Sequence, residues 1–285
     1  MERIVYLNGE FIKESEAKIS IFDRGFLFAD AVYEVTAVLD GKLIDNPGHL
    51  ARLQRSSTEL GIKLPVTGEE LTAIQRQLIE RNDLVEGGIY LQLTRGAETD
   101  RDFMYSDDIE PTLMLFTQSR PVIESPKVKK GIKVISIDDI RWRRRDIKTT
   151  SLLPACLAKK AAHDAGCDDV WLIEDGFVTE GGASNAYIIT HDNKLITRPL
   201  SNDILHGITR ASLMALVEQL GLEIEERLFT IDEAYQAKEA FISSATTFVW
   251  PVVEIDGKAI NDGKPGEASL ALRDIYIKTA KELAE

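Results

Sequence analysis

Asp146-Ile147-Lys148-Thr149-Thr150-Ser151-Leu152-Leu153, followed further on by Thr179-Glu180-Gly181-Gly182-Ala183-Ser184-Asn185, is the pair of stretches on which the reading of this chain turns. The first sets a lysine among apolar and hydroxyl residues. Arg141, Arg143, Arg144 and Arg145 lie just upstream of it. Nearby positive charge and partial burial both lower a lysine pKa, which makes the amine nucleophilic enough to form a Schiff base with an aldehyde. In the second stretch, Asp175-Gly176 is a good hairpin turn, so Val178-Thr179-Glu180 finishes the returning strand. The small residues after it let backbone come close to a flat ligand. A carboxylate facing a ring nitrogen keeps the ring cationic and makes it an electron sink. Lys148 and Glu180 together suggest pyridoxal phosphate (PLP) and amino-group transfer. The plain alternatives are a solvated basic strand edge and an ordinary turn glutamate.

Around these stretches, strands and helices are mixed without strict alternation. Residues 3–13 read as a hairpin turning at Asn8-Gly9, and 32–39 as a strand that Asp40-Gly41 turns into Lys42-Leu43-Ile44. Pro47 opens a helix through Leu60, a second helix covers 68–82, and strands follow at 88–95 and 111–117. The next segment holds Pro121, Pro126 and a charge cluster. The expected organisation is a small N-terminal domain over 1–118, an interdomain linker over 119–130 and a large cofactor-binding domain over 131–285. The large domain starts with a strand at 132–137 and a helix at 154–165, entered near Pro154 and ended by Gly166. Strands then fall at 169–174, 177–179, 186–190 and 194–197, and a helix covers 208–220. Strands at 223–228 and 239–243, a hairpin at Asp256-Gly257 and a last helix from residue 266 complete it. This mixture favours an α+β fold over a doubly wound sheet.

A chain of 285 residues is one large or two modest domains, and 44% hydrophobic residues suffice for a sizeable core. The net charge of −13 argues against nucleic-acid binding, which needs a basic face. Cys156 and Cys167 allow one disulfide by arithmetic, but free thiols fit better because nothing suggests secretion. The N-terminal stretch has no basic region leading into a long apolar one, and no apolar run is long enough to span a bilayer. A cytoplasmic protein with neither membrane nor nucleic-acid partner is expected. His49, His163, His191 and His206 make no metal pattern, so no metal site is expected.

Three further segments carry candidate chemistry. Leu205-His206-Gly207-Ile208-Thr209-Arg210 starts a helix, where free N–H groups and the helix dipole suit a phosphate. An ordinary N-cap is the alternative. Ser243-Ser244-Ala245-Thr246-Thr247 clusters hydroxyls and amides after an apolar strand, which suits either phosphate or a solvated loop. Arg52, on a helix, suits a forked pair with phosphate or a surface salt bridge.

In this order the pieces resemble the class IV, or fold type IV, PLP-dependent aminotransferases, and among them the D-amino acid transaminases. The likeness covers nearly the whole chain. It rests on Asp23-Arg24-Gly25-Phe26, Asp30-Ala31-Val32-Tyr33-Glu34, His49-Leu50-Ala51-Arg52-Leu53, Thr94-Arg95-Gly96, Asp139-Ile140-Arg141-Trp142, Asp146-Ile147-Lys148, Thr179-Glu180-Gly181 and Gly207-Ile208-Thr209-Arg210. The resemblance implies a small N-terminal α/β sandwich domain and a larger barrel-like α/β domain. It implies that Lys148 carries the cofactor as a Schiff base and shuttles the proton, and that Glu180 pairs with the pyridine nitrogen. Arg52 and the amides of Ile208 and Thr209 would hold the phosphate, and Leu205 would pack against the ring. Arg141 would lie on the phenolic-oxygen side, and Tyr33 would line the substrate side.

Two departures from the family pattern stand out. Its D-amino acid members trap the substrate carboxylate with Arg-x-His after Thr-Arg-Gly. Here the loop reads Ala97-Glu98-Thr99-Asp100-Arg101-Asp102-Phe103, so Arg101 fills the arginine role only after a one-residue shift and no histidine follows. Ala245 stands where the family often has a phosphate-binding threonine, leaving its amide and the neighbouring Thr246. The implied enzyme is a homodimer with active sites at the domain boundary and near the subunit interface, Arg101 serving the partner's site. It would move an amino group from a D-amino acid such as D-alanine to a 2-oxo acid by a ping-pong mechanism. Transamination of (R)-amines or branched-chain L-amino acids, and aminodeoxychorismate lyase chemistry, are the alternatives within the fold.

Overall fold

The structure, a computed structural model, describes residues 2–285. Met1, the first residue of the expected small domain, lies outside them. The chain divides into two compact units. The first runs to Pro121 and also takes in Ile147–Ser151 and Leu283–Glu285; the second holds Val122–Asp146 and Leu152–Glu282. The α+β class with a small and a large sheet is the fold of this protein.

In the first unit, β1 (Ile4–Leu7), β2 (Glu10–Lys13), β3 (Ala31–Leu39), β4 (Lys42–Leu43), β5 (Gly87–Thr94) and β6 (Thr112–Ser119) form a sheet in the order β2-β1-β6-β5-β3-β4. Every pairing in it is antiparallel. The first hairpin turns at Asn8 (φ 46°) and Gly9 (φ 101°), two positive φ values that a tight two-residue turn demands. Besides the short α1 (Arg24–Phe28), two longer helices, α2 (Asn46–Glu59) and α3 (Gly68–Arg81), cover the sheet. Their Leu53, Leu71 and Leu78 join Leu91, Leu93 and Leu115 in one core. Thr67 and Glu70 start α3 with a capping box, each side chain bonding the other's backbone N–H. Successive strand residues face opposite ways, so Glu34 is buried while its neighbour Tyr33 stacks on Tyr90 on the other side, ring centroids 5.6 Å apart.

In the second unit, α4 (Pro126–Lys130) lies inside the segment read as a linker. Pro126 sits at its first turn, and the Ser125 side chain accepts from the Lys127 N–H. The unit continues with β7 (Ile132–Asp138), α5 (Leu153–Asp164), β8 (Asp169–Glu174), β9 (Phe177–Gly181), β10 (Asn185–Ile189), β11 (Lys194–Thr197) and α6 (Ile208–Met214). Then come β12 (Glu223–Glu226), α7 (Ile231–Tyr235), β13 (Glu239–Ser244), β14 (Phe248–Ile255), β15 (Lys258–Ala259) and α8 (Glu267–Leu283). The sheet order is β12-β11-β10-β13-β14-β7-β8-β9, with β15 on β14. Parallel pairs β14/β7, β7/β8 and β11/β12 make it mixed. Ile132, Trp171, Ile188, Phe229, Ile242 and Val252 belong to its main core.

The helix expected over 208–220 is shorter. After Met214 the Leu216 N–H bonds the Leu213 carbonyl, an i to i−3 step, and Val217–Leu220 continues as a 3-10 turn closed by Gly221. Cys156 and Cys167 are free thiols. Among the described residues, no helix is long and apolar enough to cross a membrane.

Candidate active site

Lys148 lies in the strand-like segment that the first unit takes from beyond its main span. That segment runs beside the start of β3. Tyr33 donates its N–H to the Lys148 carbonyl at 2.9 Å, Thr150 donates to the Ala31 carbonyl at 3.1 Å, and Ile147 is buried in the helix-covered core. The Lys148 N–H reaches Ser56 Oγ on α2 at 3.4 Å. Its backbone is therefore fixed on both sides, while Nζ lies 4.2 Å from the centroid of the Tyr33 ring, within cation–π range. The structure thus brings Lys148 and Tyr33, both singled out in the sequence, into direct contact.

Arg52 is buried on α2 and makes a forked pair with Glu34 on β3. Nε lies 2.7 Å from Oε1 and Nη2 lies 2.8 Å from Oε2. His49, one turn earlier, reaches Glu34 Oε2 with Nδ1 at 2.8 Å. Burial pushes the Glu34 carboxyl up, but the charge and hydrogen bonds of Arg52, aided by His49, hold it down at about 2. Glu34 is ionised at any ordinary pH, and the Arg52 fork faces it.

Glu180 lies near the end of β9 in the second unit and is 3% exposed. Arg141 Nη1 meets its Oε1 at 2.5 Å, while Asn185 Nδ2 at 3.2 Å and the Leu205 N–H at 3.1 Å meet Oε2. Asn185 Nδ2 also donates to the Leu205 carbonyl at 3.0 Å, tying Glu180 to the loop that leads into α6. Arg141 is shared: its Nε and Nη2 bond Asp139 at 2.9 and 2.6 Å. Thr179 Oγ1 donates to the same Asp139 at 2.7 Å. Burial raises the Glu180 pKa, and Arg141 offsets this only in part, with Asp139 adding like-charge repulsion. Burial also works against ionised Asp139, but Arg141 and Thr179 hold that carboxyl low. Site-forming carboxyls with displaced pKa values are what acid–base chemistry uses.

Ile208 and Thr209 are the first residues of α6, and the cap residue Gly207 supplies no side-chain bond to them. Ala245 and Thr246 form, with Thr247, the turn between β13 and β14, where Ser244 Oγ and Thr247 Oγ1 are 2.8 Å apart. All four sequence-assigned phosphate positions of this unit thus lie at a helix start or a hairpin turn, half-buried or buried.

Arg101 is exposed, its guanidinium resting 4.9 Å from the Phe28 ring centroid and 5.2 Å from that of Phe103. Its loop is anchored by Arg24, which donates to the carbonyls of Asp102 at 2.7 Å and Phe103 at 3.2 Å. Arg24 and Arg95 share Asp30, at 3.0 and 2.7 Å. Gly96, at φ 108°, allows the loop to leave β5, since a Cβ there would lie 1.9 Å from the Glu110 carbonyl oxygen. The stretches Asp23-Arg24-Gly25-Phe26 and Thr94-Arg95-Gly96 are therefore scaffold for this loop.

Sequence reasoning assigned no role to Glu34, His49, Asp139 or Asn185, which complete these clusters. All four stand inside the quoted stretches. A signal was available for one of them: His49 and Arg52 are three apart on a helix, so they share a face and can meet one partner.

Residues 31–255 match the family described as "Amino-transferase class IV". The chain is 38% identical over 280 residues to the D-alanine aminotransferase of Staphylococcus aureus (strain N315), covering 98% of both. It is 40% identical over 263 residues to the D-alanine aminotransferase of Bacillus licheniformis, covering 92% of both. Among solved structures, the branched-chain amino acid aminotransferase from Thermobaculum terrenum in its PLP form superposes with a TM-score of 0.85 at 24% identity, covering 99% of this chain and 94% of that one.

Proposed function

The chain belongs to the amino-transferase class IV family, and from that membership we propose that it moves the amino group of a D-amino acid such as D-alanine to a 2-oxo acid, in a ping-pong sequence with pyridoxal 5'-phosphate as cofactor. The observation that carries the substrate class is the near-full-length identity with D-alanine enzymes. The branched-chain likeness speaks for the fold.

The residues fit this cofactor by the chemistry of their donors. A buried carboxyl held by Arg141, Asn185 and the Leu205 amide suits a pyridine nitrogen, which it would keep protonated in a carboxylate–pyridinium pair. The uncapped start of α6 suits phosphate oxygens at the Ile208 and Thr209 amides, and the Ala245–Thr246 turn offers two more. Arg52 adds a guanidinium that Glu34 holds in one orientation.

When bound, PLP supplies an electron sink for the negative charge that develops at the substrate Cα. Lys148 Nζ would hold the cofactor's aldehyde carbon and, once displaced by the donor amine, take the proton from the substrate Cα. A Glu180 carboxylate oxygen would hold the ring nitrogen, and Leu205 would pack on the ring. Tyr33 would line the substrate side beside Lys148.

The reading includes a homodimer in which Arg101 serves the partner's substrate carboxylate. Phe103 and Met104, neighbours on the anchored Arg101 loop and 73% and 77% exposed, support it, since adjacent exposed apolar side chains mark interaction surfaces. Size-exclusion chromatography with light scattering checks the dimer. A cytoplasmic location goes with the free Cys156 and Cys167.

The test is the visible spectrum of the purified protein before and after D-alanine, L-leucine or an (R)-arylalkylamine. A yellow chromophore bleached by D-alanine is expected. Bleaching by L-leucine or the amine alone would move the substrate class to those donors. Absence of any PLP chromophore, even with added PLP, would overturn the reading.

A further inference from the structure

The hairpin of β13 and β14 closes at Ser244 opposite Phe248, with Ala245, Thr246 and Thr247 between them. Phe248 has φ 56°, a left-handed conformation that is an outlier for a bulky residue and persists only where the surroundings impose it. Two contacts impose it here. The buried Phe248 ring stands edge-on to Tyr276 on α8, centroids 5.0 Å apart. Arg273, one turn earlier on α8, donates Nη1 to the carbonyls of Thr247 at 2.6 Å and Val249 at 3.0 Å, the residues flanking Phe248. Its Nη2 donates to the carbonyls of Val122 at 2.7 Å and Ile123 at 3.0 Å.

Arg273 is 2% exposed, and these four main-chain carbonyls are its hydrogen-bond partners. Burying a guanidinium against neutral acceptors is costly, and a space-filling role would be met by an apolar side chain. What only a planar fork supplies is simultaneous reach to two backbone segments. It also keeps a positive charge within one hydrogen bond of the 245–247 turn, where a phosphate would be favoured.

We propose that Arg273 is a positioning residue for cofactor phosphate, holding the 244–248 turn in the shape that presents the Ala245 and Thr246 amides. This rests on the reading of that turn as part of the phosphate site. The test compares PLP with pyridoxal, which lacks the phosphate. Full-length protein, Arg273→Met and Arg273→Lys are stripped of cofactor and titrated with each, with circular dichroism confirming the fold. PLP affinity should fall about tenfold or more in Arg273→Met, the scale of one lost charge-assisted hydrogen bond. It should fall less in Arg273→Lys, which keeps the charge without the fork. Pyridoxal affinity should stay unchanged in both. Equal losses for PLP and pyridoxal, or no loss for PLP, would overturn the proposal. If Arg273→Met does not fold, Arg273→Lys decides by the same ratio. Wild-type protein that binds PLP and pyridoxal equally would instead sink the phosphate reading on which the proposal rests.

Discussion

Glu34 in the first unit and Glu180 in the second are both buried carboxyls that face an arginine, yet they hold their protons oppositely. Glu34 meets both arms of the Arg52 fork and His49 as well, and its pKa lies at about 2. Glu180 meets a single arm of an arginine already engaged by Asp139, and burial raises its pKa. An opposite charge in contact does not decide the outcome. What decides it is how much of the cation's hydrogen-bonding capacity is directed at the carboxyl, against a similar desolvation cost. Glu34 is thereby a fixed anion that orients Arg52. In the proposed function Glu180, with its raised pKa, is the carboxyl offered to a ring nitrogen, while Glu34 only fixes the orientation of Arg52.

The most severe way to break this contrast is through Lys148, which sits beside the strand of Glu34 and to which the proposed function gives the reaction's proton. Lys148→Ala should fold normally, lose the visible chromophore and lose turnover by about 10³-fold or more, since it removes the proposed proton carrier. Turnover near wild type would make the whole first region structural.

Next is Glu180→Gln, which keeps shape and removes the charge. A drop of about 10²- to 10³-fold in kcat is expected, the scale of one lost electrostatic partner in a buried site. Its melting temperature should hold or rise, because the ionised form of a carboxyl with raised pKa costs stability. A lower melting temperature with unchanged kcat would reverse the roles drawn above.

Glu34→Gln should do the opposite. Removing the charge of one partner of a buried ion pair is strongly destabilising, and about 3–5 kcal/mol of stability should be lost in urea unfolding. The sign with pH follows from the same group. Its folded pKa lies below the ordinary 4.5, so its contribution is full above about 4.5 and disappears as pH falls towards about 2. Glu34→Gln should therefore flatten the acid-side loss of stability by about 3 kcal/mol. Glu180 runs the other way: its contribution is present below 4.5 and is lost as pH rises through its raised value. Glu180→Gln should leave the acid limb intact. Identical acid limbs for wild type and Glu34→Gln would show that the His49–Glu34–Arg52 cluster does not bind its charge as described.

The sequence made parts of this contrast visible. Strand alternation and turn residues disclosed most elements, because Asn8-Gly9 and Asp175-Gly176 have few other uses. Lys148 and Glu180 stood out because each is an ionisable residue in an apolar or Gly-rich setting. What stayed hidden was pairing across distance. Glu34 and His49 lie inside noted stretches, but that they meet depends on how α2 crosses β3. Arg273 was invisible, since its partners are backbone carbonyls up to 151 positions away and no side-chain pattern announces them. The shortened α6 likewise reflects a change in hydrogen-bond step that residue types around Ala215 do not signal.

The smallest expected effect concerns a cation that is neither buried nor paired in the manner of Arg52 or Arg141. Arg101 is exposed and rests on the Phe28 and Phe103 rings, on a loop that Arg24 holds in place. Its guanidinium rests on those two rings, and the proposed function gives its charge to the substrate carboxylate. Solvent screens such a contact, so its worth is that of an exposed ion pair. Arg101→Ala should therefore raise KM for D-alanine about two- to fivefold, with kcat and PLP affinity unchanged. Reactivity towards an (R)-arylalkylamine, which has no carboxylate, should not change at all. A loss of kcat, or an equal loss with the amine, would mean that Arg101 supports the loop rather than the substrate.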